Sequence, residues 1–158
     1  MEARLPITRQ GYEVIKEQLK KMKTHDRREV ANEIEIARAH GDLRENADYE
    51  AAKEKQGMLE AHIRDLEDSV ARAEVIDVSK LSGERVVFGA TVELADTSDD
   101  TEMTVTIVGE VEADAKAGRI SITSPIARAL IGRNIDDTVQ VRTPGGMKEY
   151  EILDVSFG

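Results

Sequence analysis

Apolar side chains fall at Tyr12, Ile15, Leu19 and Met22, alternating steps of three and four. That spacing keeps one stripe of a helix apolar and is the a/d seam of a coiled coil. The seam lapses at Asp26 and resumes at Val30, Ile34 and Ala37. Consecutive steps of four span the gap, the mark of a stutter, which locally unwinds a supercoil. Thr8 is the expected N-cap of this arm. Gly41, after His40, can take the left-handed conformation that ends it. A second arm reads more cleanly, with Ala52, Gln56, Leu59, Ile63, Leu66, Val70 and Ala73 in steps of four and three without a miss. Each stripe has only the other to bury against, so the arms pack antiparallel across a short turn. The 30 residues from Gly11 to His40 amount to about 45 Å of helix at about 1.5 Å per residue.

The period changes near Val75-Ile76-Asp77. From there apolar residues alternate or cluster in short runs, which predicts strands at Val86–Phe88, Thr91–Leu94, Thr104–Val108, Ile120–Thr123, Thr138–Arg142 and Glu149–Val155. Thr97-Ser98-Asp99-Asp100 and Pro144-Gly145-Gly146 supply hairpin turns. One short helix interrupts the strands, with Ser124 as N-cap, Pro125 at the first helical position, Ile126 and Leu130 facing the sheet, and Gly132 as the stop. The expected fold class is α+β: a helical hairpin over residues 1–76 and a small, mostly antiparallel sheet domain over residues 77–158.

Composition narrows the function classes. Aromatic residues make up 3% of the chain and Trp is absent, so no platform for stacking bases is available. The net charge of −10 argues against autonomous binding to naked nucleic acid, which needs Lys and Arg in excess. Without Cys there is no disulfide frame, thiolate nucleophile or sulfur metal site. No apolar stretch approaches membrane-spanning length and the N-terminus does not resemble a signal peptide. A soluble, acidic, cytoplasmic protein is expected. The charge is uneven: residues 1–76 hold 14 basic and 17 acidic side chains, and residues 77–158 hold 8 and 15. Between Lys16 and Arg28 six basic residues face only Glu17 and Asp26. That patch either tracks a phosphate chain or is the solvated outer face of the coil.

The hairpin tip carries the candidate chemistry. Asp42, Glu45, Asp48 and Glu50 are acidic against one Arg44. Asp42 and Glu45, three apart, fit a capping box opening the second arm. They equally fit a pair of hard oxygen ligands for Mg²⁺, which is usually held by one or two carboxylates and completed by a partner. Both carboxylates are ionised at neutral pH without any tuning. Leu43 either covers the end of the seam or contacts a partner, and Tyr49 either packs across the seam or stacks on a ligand. Arg38 and Lys53 flank the tip, where most such charges are merely solvated. His25, His40 and His62 share no metal-ligand spacing. No phosphate-binding glycine loop or nucleophile motif occurs, so self-contained enzymology is not expected.

The run His40-Gly41-Asp42-Leu43-Arg44-Glu45-Asn46-Ala47-Asp48-Tyr49 closely resembles the hairpin tip of the bacterial Gre transcript-cleavage factors. The likeness continues through Ala51–Gly57, Val75–Val78, Phe88–Val92, Ile120-Ser121, Ser124–Gly132 and Thr143–Gly146, and so covers essentially the whole chain. It looks most like the GreA branch, since the GreB branch carries a much more basic hairpin. The resemblance implies a coiled-coil hairpin followed by an FKBP-like domain, and a fold of that kind does not itself imply prolyl isomerase activity. It implies a transcription elongation factor that binds RNA polymerase at its secondary channel. There such factors stimulate the polymerase's own cleavage of backtracked RNA 3′ ends.

On the same resemblance Asp42 and Glu45 help hold a Mg²⁺ ion shared with the polymerase active centre. Arg38, Leu43, Arg44, Asn46, Tyr49 and Lys53 lie where the family contacts RNA or polymerase. Ser124, Pro125, Ile126, Ala127 and Arg128 lie where it docks on the channel rim. Two other readings stand beside this one: a channel-binding regulator that inhibits the polymerase, and a generic coiled-coil adaptor. A hairpin that closes its own seam needs no partner chain, so a monomer is expected.

Overall fold

In the computed structural model, which describes residues 3–41 and 46–157, the first arm is helical from Arg9 to Arg38. It comprises α1 (Arg9–Lys21), a π-helical turn at Met22–Asp26, and α2 (Arg27–Arg38). The π turn lies where the heptads falter. Four-residue steps run ahead of a 3.6-residue turn, and a wider turn closed by i→i+5 bonds takes up the excess. Met22 and Asp26 therefore both stay half-buried on the seam. The second arm is α3 (Ala47–Arg72). Every apolar seam position on both arms is buried or half-buried, with Ile15, Val30, Ala37, Ala52, Ile63 and Leu66 closed to solvent. Ion pairs cross the outside of the seam between Lys23 and Glu67, Arg27 and Glu60, and Lys55 and Glu33. Residues 12–72 form one compact unit.

The second unit joins residues 1–11 to residues 73–158, where the hydrophobic pattern had put 1–76 in the hairpin. Two strands cause the difference. β1 (Leu5–Thr8) pairs in parallel with β2 (Ala73–Ile76), Leu5 opposite Ala73 and Thr8 opposite Ile76, and Ile7 is fully buried. Each has only four residues, too few for a period to show, and their partners are distant in sequence.

The main sheet has the order β5-β4-β3-β7-β6, from β3 (Thr91–Asp96), β4 (Glu102–Val108), β5 (Arg119–Ser121), β6 (Thr138–Thr143) and β7 (Gly146–Ser156). Neighbours are antiparallel except β4 and β5. Val92, Leu94, Val105, Ile107, Val139, Val141 and Ile152 form its core, with Ala127 and Leu130 of α4 (Pro125–Leu130). At the turn between β3 and β4, the Asp96 carboxylate accepts from the Ser98 amide and hydroxyl, and those bonds hold its pKa below the usual carboxylate value.

Two expected strands differ. Val86–Phe88 is not a strand. Val86 is fully buried, its amide donates to the Arg133 carbonyl at 2.8 Å and its carbonyl accepts from the Gly132 amide at 2.9 Å. The run is apolar because it plugs the core beside the turn after α4. The strand expected at Ile120–Thr123 is shorter and one residue earlier, since Ile122 and Thr123 already lead into α4.

Candidate functional site: the hairpin tip and the short helix

At the far end of α2 the chain closes its last turns through His40, whose amide donates to the Ala37 carbonyl, and Gly41, whose amide donates to that of Arg38, each at 3.2 Å. Gly41 has φ of +106°, a backbone conformation in which only glycine is unstrained. The return arm starts from Asn46. Its Oδ1 accepts from the Tyr49 amide at 3.0 Å, the N-cap bond, and its carbonyl accepts from the Glu50 amide at 3.1 Å. Its Nδ2 donates to the Ala37 carbonyl of the opposite arm at 2.6 Å. One amide side chain thus caps α3 and ties it to α2. Asp48 and Glu50 stand in the first turn of α3, where the helix dipole favours negative charge.

Asp42, Leu43, Arg44 and Glu45 lie outside the described residues. The capping box considered for Asp42 and Glu45 lies outside them too; the described N-cap acceptor of α3 is Asn46. Arg38 is exposed on α2, and Lys53 is exposed on α3 with its Nζ donating to Gln56 Oε1 at 3.1 Å. Tyr49 is half-buried.

Just below the tip, a shallow groove between the arms is floored by Ile36, Ala37, Ala51 and Ala52 and edged by His40, Asp48, Glu33 and Lys55. Sequence reasoning missed Ile36, which is 53% exposed. Its signal was available: a large apolar residue off the seam has no core to fill.

The basic run from Lys16 to Arg28 resolves into the coil's own surface. Lys23 pairs with Glu67 at 3.2 Å, and Arg27 makes a two-pronged bond to Glu60, both prongs 2.9 Å. Lys16 lies over the Tyr12 ring, 4.9 Å from its centre, and Lys21 is 3.9 Å from Asp26. Among the described residues Lys20 and Arg28 of that run make no ion pair. The Arg27 bond holds the Glu60 pKa below its ordinary value, and the bond to Glu33 raises that of Lys55. Contrary to the expectation for His25, its imidazole lies with Asp26 and Glu29 close enough to share a cation. Lys21, beside Asp26, already supplies positive charge there.

In the sheet unit α4 forms as its sequence predicts. Ser124 Oγ accepts from the Ala127 amide at 3.3 Å, Pro125 opens the helix, and Gly132 leaves it at φ of +89°. Ala127 and Leu130 are fully buried and Ile126 packs on the core. Pro125 and Arg128 point to solvent. Of the five expected docking residues, Pro125 and Arg128 are therefore fully presented, Ser124 and Ile126 partly, and Ala127 not at all. Ala127 contributes by seating the helix.

Similar proteins cover both units. Residues 5–75 match the family described as "Transcription elongation factor, N-terminal", and residues 81–157 match "Transcription elongation factor, GreA/GreB, C-term". The "Transcription elongation factor GreA" of Phenylobacterium zucineum is 56% identical over 98% of this chain and 98% of its own. That of Rickettsia bellii strain RML369-C is 53% identical over 99% and 97%. Among solved structures, the GreA factor homolog 1 of Thermus thermophilus is 28% identical over 97% of this chain and 99% of its own, with a TM-score of 0.44.

Proposed function

The chain belongs to the GreA/GreB family of transcription elongation factors, and on that premise we propose that it stimulates RNA cleavage by RNA polymerase. It enters the secondary channel and presents Asp42 and Glu45 to the active centre of a backtracked complex. The polymerase remains the catalyst. The observation that carries this reading is the Asn46 cap, which fixes the start of the second arm directly after the Asp-x-x-Glu pair in the sequence.

Two carboxylates suit Mg²⁺, a hard cation that takes oxygen ligands and completes its shell from water and a partner's groups. When bound, the ion supplies a water of lowered pKa, aligned for attack on the phosphodiester. Asp42 and Glu45 would hold it together with the polymerase, as two ligands on a stalk are too few alone. The hairpin supplies reach. Its seam and cross-arm ion pairs keep the arms together, and Asn46 fixes where the second arm begins. Arg38, Arg44 and Lys53 bring positive charge to phosphates near the RNA 3′ end, and Leu43, Asn46 and Tyr49 contact polymerase or RNA. The exposed face of α4, through Ser124, Pro125, Ile126 and Arg128, docks on the channel rim while Ala127 anchors it. The factor works as a monomer in the cytoplasm.

The test uses a stalled, backtracked polymerase complex with 3′-labelled RNA and Mg²⁺. The chain should release short labelled fragments, and the Asp42→Asn/Glu45→Gln variant should bind with similar affinity yet lose at least about tenfold in rate, as expected for groups acting on the reacting atoms. Undiminished release by the double variant would remove the carboxylates from the mechanism. Binding without release by the parent chain would make it a channel-blocking regulator.

A further inference from the structure

Residues 77–158 hold 8 basic side chains against 15 acidic ones, so every cation there has carboxylates to choose from. Three of the eight are in ion pairs: Lys80 with Asp77, Arg119 with Asp114 and Lys148 with Asp96. Among the described residues the other five make none. Two of those five stand apart, Lys116 on the turn before β5 and Arg142 on β6. The remaining three, Arg85, Arg128 and Arg133, belong to one place, the turn that ends α4.

The backbone brings them there. The Gly132 amide donates to the Val86 carbonyl at 2.9 Å, and the Val86 amide donates to the Arg133 carbonyl at 2.8 Å. Arg85 also bridges to Asn134. Its guanidinium lies over Gly132: a Cβ on that glycine would sit 3.8 Å from Arg85 Nη2 and, chain neighbours aside, within 4 Å of nothing else. The Ile131 amide donates to the Ala127 carbonyl at 3.0 Å, so Ile131 continues the helix and neighbours Arg128, three residues before it, on one face. Ile131 is 38% exposed, and all three arginines are exposed. Among the described residues Arg85 makes no hydrogen bond to the last carbonyls of α4, the usual duty of a cation at a helix C-terminus. A lone exposed arginine is merely solvated. Three of them about an exposed isoleucine have the composition of an interface centre.

We propose that Arg85, Arg128 and Arg133, around Ile131, form a cationic docking face that takes an acidic patch on the surface of RNA polymerase. The inference rests on the reading above, in which α4 docks on that enzyme. Arg85 and Arg133 carry the face beyond the helix, and Arg85 reaches it from a distant part of the sequence. The planar guanidinium fork matches carboxylates two bonds at a time, and Ile131 supplies the apolar contact at the centre. The chain's net charge of −10 repels an acidic partner from its other faces, so one cationic patch decides which side approaches. A phosphate backbone is the other anion that arginines take. It offers Ile131 no apolar surface, and the same net charge opposes it.

The experiment measures association and dissociation of the full chain on immobilised bacterial RNA polymerase, at low and at high salt. Arg85→Gln/Arg133→Gln should slow association at low salt at least about tenfold, with far-UV circular dichroism unchanged. The difference from the parent should shrink at high salt, where exposed charges are screened. Arg85→Lys/Arg133→Lys keeps both charges and should retain most of the parent's rate. Lys116→Gln/Arg142→Gln removes two unpaired charges of the same unit from outside the face, and should change little. Equal slowing by the two glutamine pairs would reduce the effect to net charge and overturn the proposal, as would no slowing by either. A short DNA or RNA duplex that the parent binds and the Arg85/Arg133 glutamine variant does not, with association to polymerase unaltered, would make the patch a phosphate site instead. A parent chain that does not bind polymerase overturns this proposal and the functional reading together, whereas binding indifferent to the arginines overturns this proposal alone.

Discussion

Asn46 joins two facts at one side chain: a helix cap and a bond across the hairpin. Replacing it with alanine removes the acceptor for the Tyr49 amide and the donor to the Ala37 carbonyl. Loss of an N-cap costs about 0.5–2 kcal/mol, and the cross-arm bond adds about 1 kcal/mol. Asn46→Ala should therefore destabilise the hairpin by about 1.5–3 kcal/mol in urea unfolding, and Asn46→Asp, which keeps the cap acceptor, should recover part of that. The sequence showed an Asp-x-x-Glu pair that fits a capping box, and it could not show which residue starts the second arm. Asn is as good a cap as Asp. Only the bonds of Asn46 distinguish them.

At the scale of elements, the two arms were the most legible part of the chain. Heptads sustained over several turns specify both a helix and its buried face, and even the falter at Asp26 foretold a local change of helical pitch. The strands of the main sheet with clear alternation were legible too. β1 was not, because a four-residue strand pairing with a distant partner carries no period. Val86–Phe88 misled because an apolar run can fill a core from a turn as well as from a strand. The cross-arm pairs bear on pH. Arg27 stabilises the ionised form of Glu60 and lowers its folded-state pKa from 4.5. A carboxylate with a depressed folded pKa contributes stability that is present above its unfolded value and is lost as pH falls through the folded one. Hairpin helicity and thermal stability should thus decline on acidification below about pH 4.5, more gently in Glu60→Gln. High salt should weaken the effect, since the pair is exposed. A decline that the Glu60 variant leaves unaltered would exclude this pair as a cause.

The chain divides into two compact units. The sheet unit presents α4 and carries the larger acidic excess. In the hairpin unit Lys21, Lys23 and Arg27 of the basic run are taken up in ion pairs within the coil. No helix among the described residues is long and apolar enough to cross a membrane. The central claim is that Asp42 and Glu45 help hold an ion at another enzyme's active centre. Its most direct test is the single-turnover cleavage rate of a backtracked polymerase complex, measured across a Mg²⁺ titration with saturating factor. With the parent chain, half-maximal cleavage should need at least about tenfold less Mg²⁺ than with no factor, as expected when two further oxygen ligands are supplied. The Asp42→Asn/Glu45→Gln variant, at matched occupancy, should return the requirement to the factor-free value. If the double variant lowers the Mg²⁺ requirement as far as the parent does, the carboxylates are not ligands and the account is wrong.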